Sequence, residues 1–134
     1  MKKFGVLGSG TWGTALANML ANMGKEVKVW SPVKEEIEQL NLTHKHKYLP
    51  SCELNENIFF TNDLNEVCNG VECVIFATPS VFVRSTAEKV KGIVTPEQIL
   101  ITVAKGIEPE TLFTMSEIIT NVLGDEFKVV SLSG

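Results

Sequence analysis

The chain has 134 residues, 44% of them apolar and 21% charged, proportions that support one domain with a buried core and exclude a disordered chain. Twelve basic against sixteen acidic residues leave a net charge of −4, which argues against nucleic-acid binding because such surfaces are basic; Lys45 and Lys47 make only a local basic spot. No apolar run approaches the roughly 18 residues of a membrane span, so no membrane insertion is expected, and three cysteines (Cys52, Cys68, Cys73) do not form a secreted disulfide pattern.

Along the chain, short apolar runs alternate with helix-period segments. Met1, Lys2 and Lys3 precede the apolar stretch Phe4–Leu7, which reads as a buried strand. Gly8, Ser9 and Gly10 interrupt it too early for a signal-peptide core, and a cytoplasmic location is the expectation. From Gly13, apolar or small residues at Leu16, Ala17 and Leu20 fall on one helical face, and Gly24 suits the helix stop. Val27–Trp30 predicts a second strand and Lys34–Leu40 a second helix. Asn41–Asn57 is polar and predicts a loop. Ile58–Thr61 predicts a strand, and Asp63–Cys68 a short helix begun by an Asp or Asn cap. Val71–Ala77 and Ile99–Ala104 are strongly apolar strands. Helices are expected over Ser80–Lys91 and over Thr111–Leu123, closed by Gly92 and Gly124, and Phe127–Leu132 predicts the last strand.

Alternation of this kind predicts an α/β fold with a doubly wound, mainly parallel sheet and helices on both faces, all of residues 1–134 forming one domain. Both faces of such strands are covered, which accounts for uninterrupted apolar runs such as Val74–Ala77.

The residues Gly8-Ser9-Gly10-Thr11-Trp12-Gly13 match G-x-G-x-x-G. The pattern alone is weak. Here it follows a predicted strand and opens a predicted helix, the context of a Rossmann-type dinucleotide site. Gly8 suits the tight turn, Gly10 a close approach of the pyrophosphate to the backbone, and Gly13 close packing of helix on strand. The alternative is an ordinary glycine-rich turn. Cofactor choice is normally set by an acid at the end of the second strand, which binds the ribose 2′-hydroxyl. This chain offers Trp30, Ser31, Pro32, Val33 and Lys34 there, and the first acid is Glu35, a little late. Ser31 and Lys34 suit a 2′-phosphate, or equally a helix cap and a solvated lysine, so both NAD and NADP stay open and no strong rejection of NADP is expected. The strand ends should converge on one edge. Among the residues placed there, Lys105 stands out as a cation suited to a phosphate or a polarised carbonyl, although a solvated strand-end lysine is an equally ordinary reading.

Several segments together resemble the NAD(P)-dependent glycerol-3-phosphate dehydrogenase family. They are Gly8–Ala17, Val27–Trp30, Lys47–Pro50, Thr78–Ser80, Lys105–Glu108, Met115–Glu117 and Leu132–Gly134, in the family's order and over nearly the whole chain. The resemblance implies an oxidoreductase that reversibly reduces dihydroxyacetone phosphate to sn-glycerol 3-phosphate for glycerophospholipid synthesis. It implies cofactor contacts at Thr11 and Trp12, an aromatic residue near the cofactor at Phe82, a lysine meeting both cofactor and substrate at Lys105, and a glycine near the substrate at Gly134. Pro32 departs from the basic or aromatic residue common there. The family also carries a C-terminal helical domain with a second, proton-transferring lysine, and the chain has no counterpart, so it reads as a fragment expected to bind cofactor without turnover. The resemblance leaves a homodimer open for the intact enzyme.

Three rivals stand beside this reading. One is a related dehydrogenase acting on a hydroxy acid or sugar acid. Another is a dinucleotide-sensing module without catalysis, which would not need Lys105. The third is a metal site at His44, His46 and Cys52; it lacks a clear fourth ligand in a polar, Lys-rich loop, and no metal is expected.

Overall fold

The computed structural model of the chain describes residues 2–47, 49 and 51–132. Its strands are β1 (Lys3–Leu7), β2 (Glu26–Trp30), β3 (Phe59–Thr61), β4 (Cys73–Phe76), β5 (Ile99–Thr102) and β6 (Lys128–Ser131), in the spatial order β3-β2-β1-β4-β5-β6. Every named pairing is parallel, where the sequence predicts a mainly parallel sheet. Leu7 at the end of β1 lies opposite Trp30 on one side and Phe76 on the other. The order reverses between β1 and β4. The crevice beyond the carboxyl ends of those two strands is therefore the switch point where such sheets take their ligands.

Among the described residues, five α-helices cover the sheet: α1 (Thr11–Asn22), α2 (Lys34–Thr43), α3 (Leu64–Cys68), α4 (Val83–Val90) and α5 (Met115–Leu123). Because strand side chains alternate, β4 serves two cores at once. Val74 and Phe76 join Val83, Ala87, Val90, Ile118 and Ile119 on the face of α4 and α5. Cys73 and Ile75 join Ala17, Ala21, Ile37 and Leu40 on the face of α1 and α2. All four residues of β4 are buried, as expected for a central parallel strand covered on both sides.

Several boundaries differ from the sequence expectation, each for a local reason. α1 begins at Thr11 rather than Gly13. α2 runs on to Thr43, into the segment expected to be loop, and stops where His44 enters the left-handed region at φ 53°. The Ser80–Lys91 segment divides into a 3-10 turn at Ser80–Phe82 and α4. The last helix begins at Met115 rather than Thr111. Leu112 has φ 63°, which breaks a helix, while Thr114 and Glu117 form a reciprocal capping box that starts one. Asp63 caps α3 as expected, accepting from the Asn65 N–H at 2.9 Å.

Candidate functional site

The crevice at the switch point opens into a cleft of about 780 Å³. Of the residues singled out in the sequence, the fold brings Gly8, Ser9, Gly10, Thr11, Trp12, Ser31, Phe82 and Lys105 to its walls. Gly13 is not in the wall. It faces the sheet, where an added Cβ would collide with the Gly8 carbonyl oxygen and lie 3.1 Å from Ala77 Cβ. Gly134, and Tyr48 and Pro50 of the Tyr-Leu-Pro segment, lie outside the described residues.

The turn between β1 and α1 is held from several sides. Gly8 has φ 128°, a conformation that disfavours any other residue, and its N–H donates to the Trp30 carbonyl at 2.8 Å. The Ser9 carbonyl accepts from the Thr14 hydroxyl at 2.9 Å and lies 2.9 Å from His46 Nε2. The Ser9 hydroxyl donates to the Glu36 carboxylate. Gly10 is the N-cap of α1 and supplies no side chain to its first-turn amides. A Cβ built on Gly10 would meet nothing within 4 Å. The first-turn N–H groups at a positive helix end thus adjoin an open, side-chain-free approach, an arrangement suited to an anion. Thr78 adds a buried hydroxyl on the cleft wall with no hydrogen-bond partner among the described residues, which suits a polar ligand. These residues fit a dinucleotide with its pyrophosphate at Gly10.

The far wall comes from α4 and the turn before it. Phe82, Ser85, Thr86 and Lys89 all line the cleft, and their spacing places them on one helical face. Phe82 is 55% exposed, so it is not part of the core. The Lys89 ammonium lies 5.6 Å from the centre of the Trp30 ring, within the range of a cation–π contact. Trp30 is otherwise fixed by its indole N–H, which donates to the Asn62 carbonyl at 3.1 Å. Ser31 is buried, and its hydroxyl accepts from the Val33 N–H at 3.2 Å. This is a turn contact, and the N-cap of α2 is Val33.

Glu36 was not singled out in the sequence, which points to Glu35 as the first acid. In the fold Glu35 is exposed, while Glu36 is half-buried and lines the cleft. Which of two adjacent helical acids turns inward depends on how α2 is rotated, and Ile37 and Leu40 set that rotation by burying themselves. The three residues weighed as metal ligands have other surroundings. His46 is buried against Ser9, His44 ends α2, and Cys52 Sγ accepts from Asn18 Nδ2 at 3.3 Å.

Lys105 follows β5 and is exposed at the cleft. Its backbone is tethered on its C-terminal side. Gly106 takes φ 128°, and Glu108 receives Arg84 Nε and Nη2, each at 2.8 Å, together with the Thr111 hydroxyl at 2.6 Å. Arg84 also donates to Asn121 Oδ1 at 3.1 Å, so the loop after Lys105 is tied to both α4 and α5. The Arg84 guanidinium, and then the Thr111 hydroxyl, hold the Glu108 carboxyl down to about 2, from an ordinary 4.5. Because the folded value lies below the unfolded one, its contribution to stability is complete above about pH 4.5 and is lost as the pH falls from there towards 2. Glu108→Gln is therefore expected to weaken the fold at neutral pH and to weaken it less on acidification. Urea unfolding of both proteins at about pH 7, 4 and 3 checks this. A gap between wild type and variant that stays constant over that range would assign the acid response to other carboxylates.

Residues 3–134 match the family described as NAD-dependent glycerol-3-phosphate dehydrogenase N-terminus. Glycerol-3-phosphate dehydrogenase (NAD(P)+) 2 of Lactobacillus delbrueckii subsp. bulgaricus is 46% identical over 128 residues, which are 96% of this chain and 38% of that protein. The Bacillus subtilis glycerol-3-phosphate dehydrogenase (NAD(P)+) is 37% identical over 100% of this chain and 40% of its own length. Among solved structures, the glycerol-3-phosphate dehydrogenase from Saccharomyces cerevisiae superposes with a TM-score of 0.86 at 29% identity, over 100% of this chain and 42% of that one. The enzyme from Coxiella burnetii shares the fold, with a TM-score of 0.86 at 23% identity over 96% of this chain and 40% of that one. The chain thus spans about two fifths of the length of the relatives it matches.

Proposed function

The chain belongs to the NAD-dependent glycerol-3-phosphate dehydrogenase family, and on that premise we propose that it is the dinucleotide-binding part of an oxidoreductase that interconverts dihydroxyacetone phosphate and sn-glycerol 3-phosphate. The observation that carries the reading is the shared cleft: the open approach at Gly10 forms one side and Lys105 stands at another.

When bound, the nicotinamide supplies the hydride. The protein's part is to bind, orient and stabilise charge. The first-turn amides of α1 hold the pyrophosphate, with Gly8 fixing the turn and Gly10 leaving room. Trp12, 65% exposed, and Phe82 offer aromatic surface to the cofactor. Reduction of a ketone builds negative charge on the carbonyl oxygen, and the Lys105 ammonium, exposed at the cleft, would stabilise that charge and hold a phosphorylated substrate. We place this activity in the cytoplasm, where it would supply glycerophospholipid synthesis. No helix among the described residues is long and apolar enough to cross a membrane.

Both tryptophans of the chain line the cleft, so NADH is expected to quench their fluorescence saturably. In the catalytically complete enzyme, NADH oxidation is expected to require dihydroxyacetone phosphate rather than a hydroxy-acid or sugar-acid counterpart. Absence of NADH and NADPH binding at about millimolar concentration would remove the cofactor assignment, and turnover of a different ketone would replace the substrate.

A further inference from the structure

We propose that Glu36 selects the cofactor: its carboxylate takes the adenosine ribose 2′-hydroxyl and rejects a 2′-phosphate. The inference rests on the dinucleotide reading of the cleft and deepens it. In sheets of this kind an acid roughly 20 residues beyond the glycine turn accepts from the ribose hydroxyl. Directly after β2 no acid is available, since Ser31, Pro32, Val33 and Lys34 follow Trp30.

The fold supplies one from the next helix. Glu36 stands in the first turn of α2 and lines the same cleft as Gly8, Gly10 and Ser31. The Ser9 hydroxyl, from the residue between the first two glycines, donates to its carboxylate. That contact sets the carboxylate beside the turn that receives the pyrophosphate, on the β2 side of the cleft where the adenosine half lies. A carboxylate accepts through several lone pairs, so the bond from Ser9 leaves capacity for a ribose hydroxyl. A 2′-phosphate in the same place would set about two negative charges against Glu36 in a half-buried site.

The cations nearby do not reverse this. Lys89 projects from α4 and is engaged with the Trp30 ring at 5.6 Å, and Lys34 is exposed and outside the cleft lining. Ser31, the remaining polar group at the end of β2, already accepts from Val33. Rejection would therefore come from a placed repulsive group, and it would narrow towards NAD the choice that the residues after Trp30 leave open.

The test compares dissociation constants for NADH and NADPH in wild type, Glu36→Gln and Glu35→Gln. Wild type is expected to bind NADH at least about tenfold more tightly than NADPH. Glu36→Gln keeps the shape and an acceptor for Ser9 while removing the charge, and it should narrow the ratio by about tenfold or more, chiefly through tighter NADPH binding. Glu35→Gln, at the exposed neighbour, should leave the ratio unchanged. A wild-type preference for NADPH, or an unchanged ratio in folded Glu36→Gln, overturns the proposal. Wild type that binds neither dinucleotide overturns the underlying cofactor reading as well.

Discussion

Gly10→Val is expected to give a folded protein that has lost its dinucleotide. Gly10 sits at φ −65° and ψ −180°, a region open to every L-residue. Its backbone therefore does not require glycine. The proposed ligand does, because a Cβ at Gly10, which meets no protein atom within 4 Å, would occupy the open approach proposed for the pyrophosphate. Valine is a poorer N-cap than glycine, at a cost of about 1 kcal/mol, which a stable domain tolerates. Its methyl groups would stand between the ligand and the first-turn amides of α1. The expected loss is about 100-fold or more in NADH affinity, roughly 3 kcal/mol, with the circular dichroism spectrum retained. Two control substitutions should behave in the opposite way. Gly8→Ala forces a Cβ to 2.9 Å from the Ala77 backbone at φ 128°, and Gly13→Ala drives one into the Gly8 carbonyl, so both should lower the unfolding midpoint itself. Calorimetric titration and thermal unfolding of the three variants separate the two kinds of glycine. Undiminished NADH binding by folded Gly10→Val would sink the site.

Part of the candidate site is legible in the sequence alone. The glycine turn is a local device. Its strand, turn and helix are contiguous, so spacing alone reveals it, and the division of labour among Gly8, Gly10 and Gly13 follows from where each Cβ would go. The doubly wound sheet was legible for a related reason, since a strand buried on both faces must be apolar at consecutive positions, as Cys73–Phe76 is. Glu36 was not legible, because Glu35 and Glu36 are equivalent in composition and differ only through the rotation of α2. The segment Asn41–Asn57 is polar and predicts a loop, yet it carries much of the bracing for the turn. His46 lies against Ser9, and Asn18 joins α1 to this segment through the Asn55 N–H at 2.8 Å and Cys52. Such contacts span more than thirty positions in sequence, and no periodicity encodes them. Lys89 left a weak trace, the spacing Phe82, Ser85, Thr86, Lys89, whose meaning depended on which face of α4 meets the cleft.

Lys105→Ala is expected to cut catalysis sharply in the complete enzyme while leaving its fold and most of its cofactor affinity in place. Lys105 is exposed at the cleft, so its removal leaves no cavity in a core. The loop that carries it should keep its course, because Gly106 retains its left-handed backbone and Glu108 stays gripped by Arg84 and Thr111. What disappears is the cation proposed to stand beside the reacting carbonyl. Loss of one preorganised group that stabilises developing negative charge typically lowers turnover by about 100- to 1,000-fold, or roughly 3–4 kcal/mol. If the same ammonium also holds the substrate in the ground state, the loss should be divided, with KM for dihydroxyacetone phosphate rising and kcat falling. NADH binding, proposed to rest mainly on the α1 amides, should weaken by less than about tenfold. Lys105→Arg keeps the charge but replaces a compact ammonium with a planar fork, and should recover KM more than kcat. Steady-state kinetics of the three proteins, together with NADH titration, measure each of these terms. Kinetics unchanged by Lys105→Ala would make this lysine an ordinary strand-end cation, and the charge on the carbonyl oxygen would then have to be met by another group.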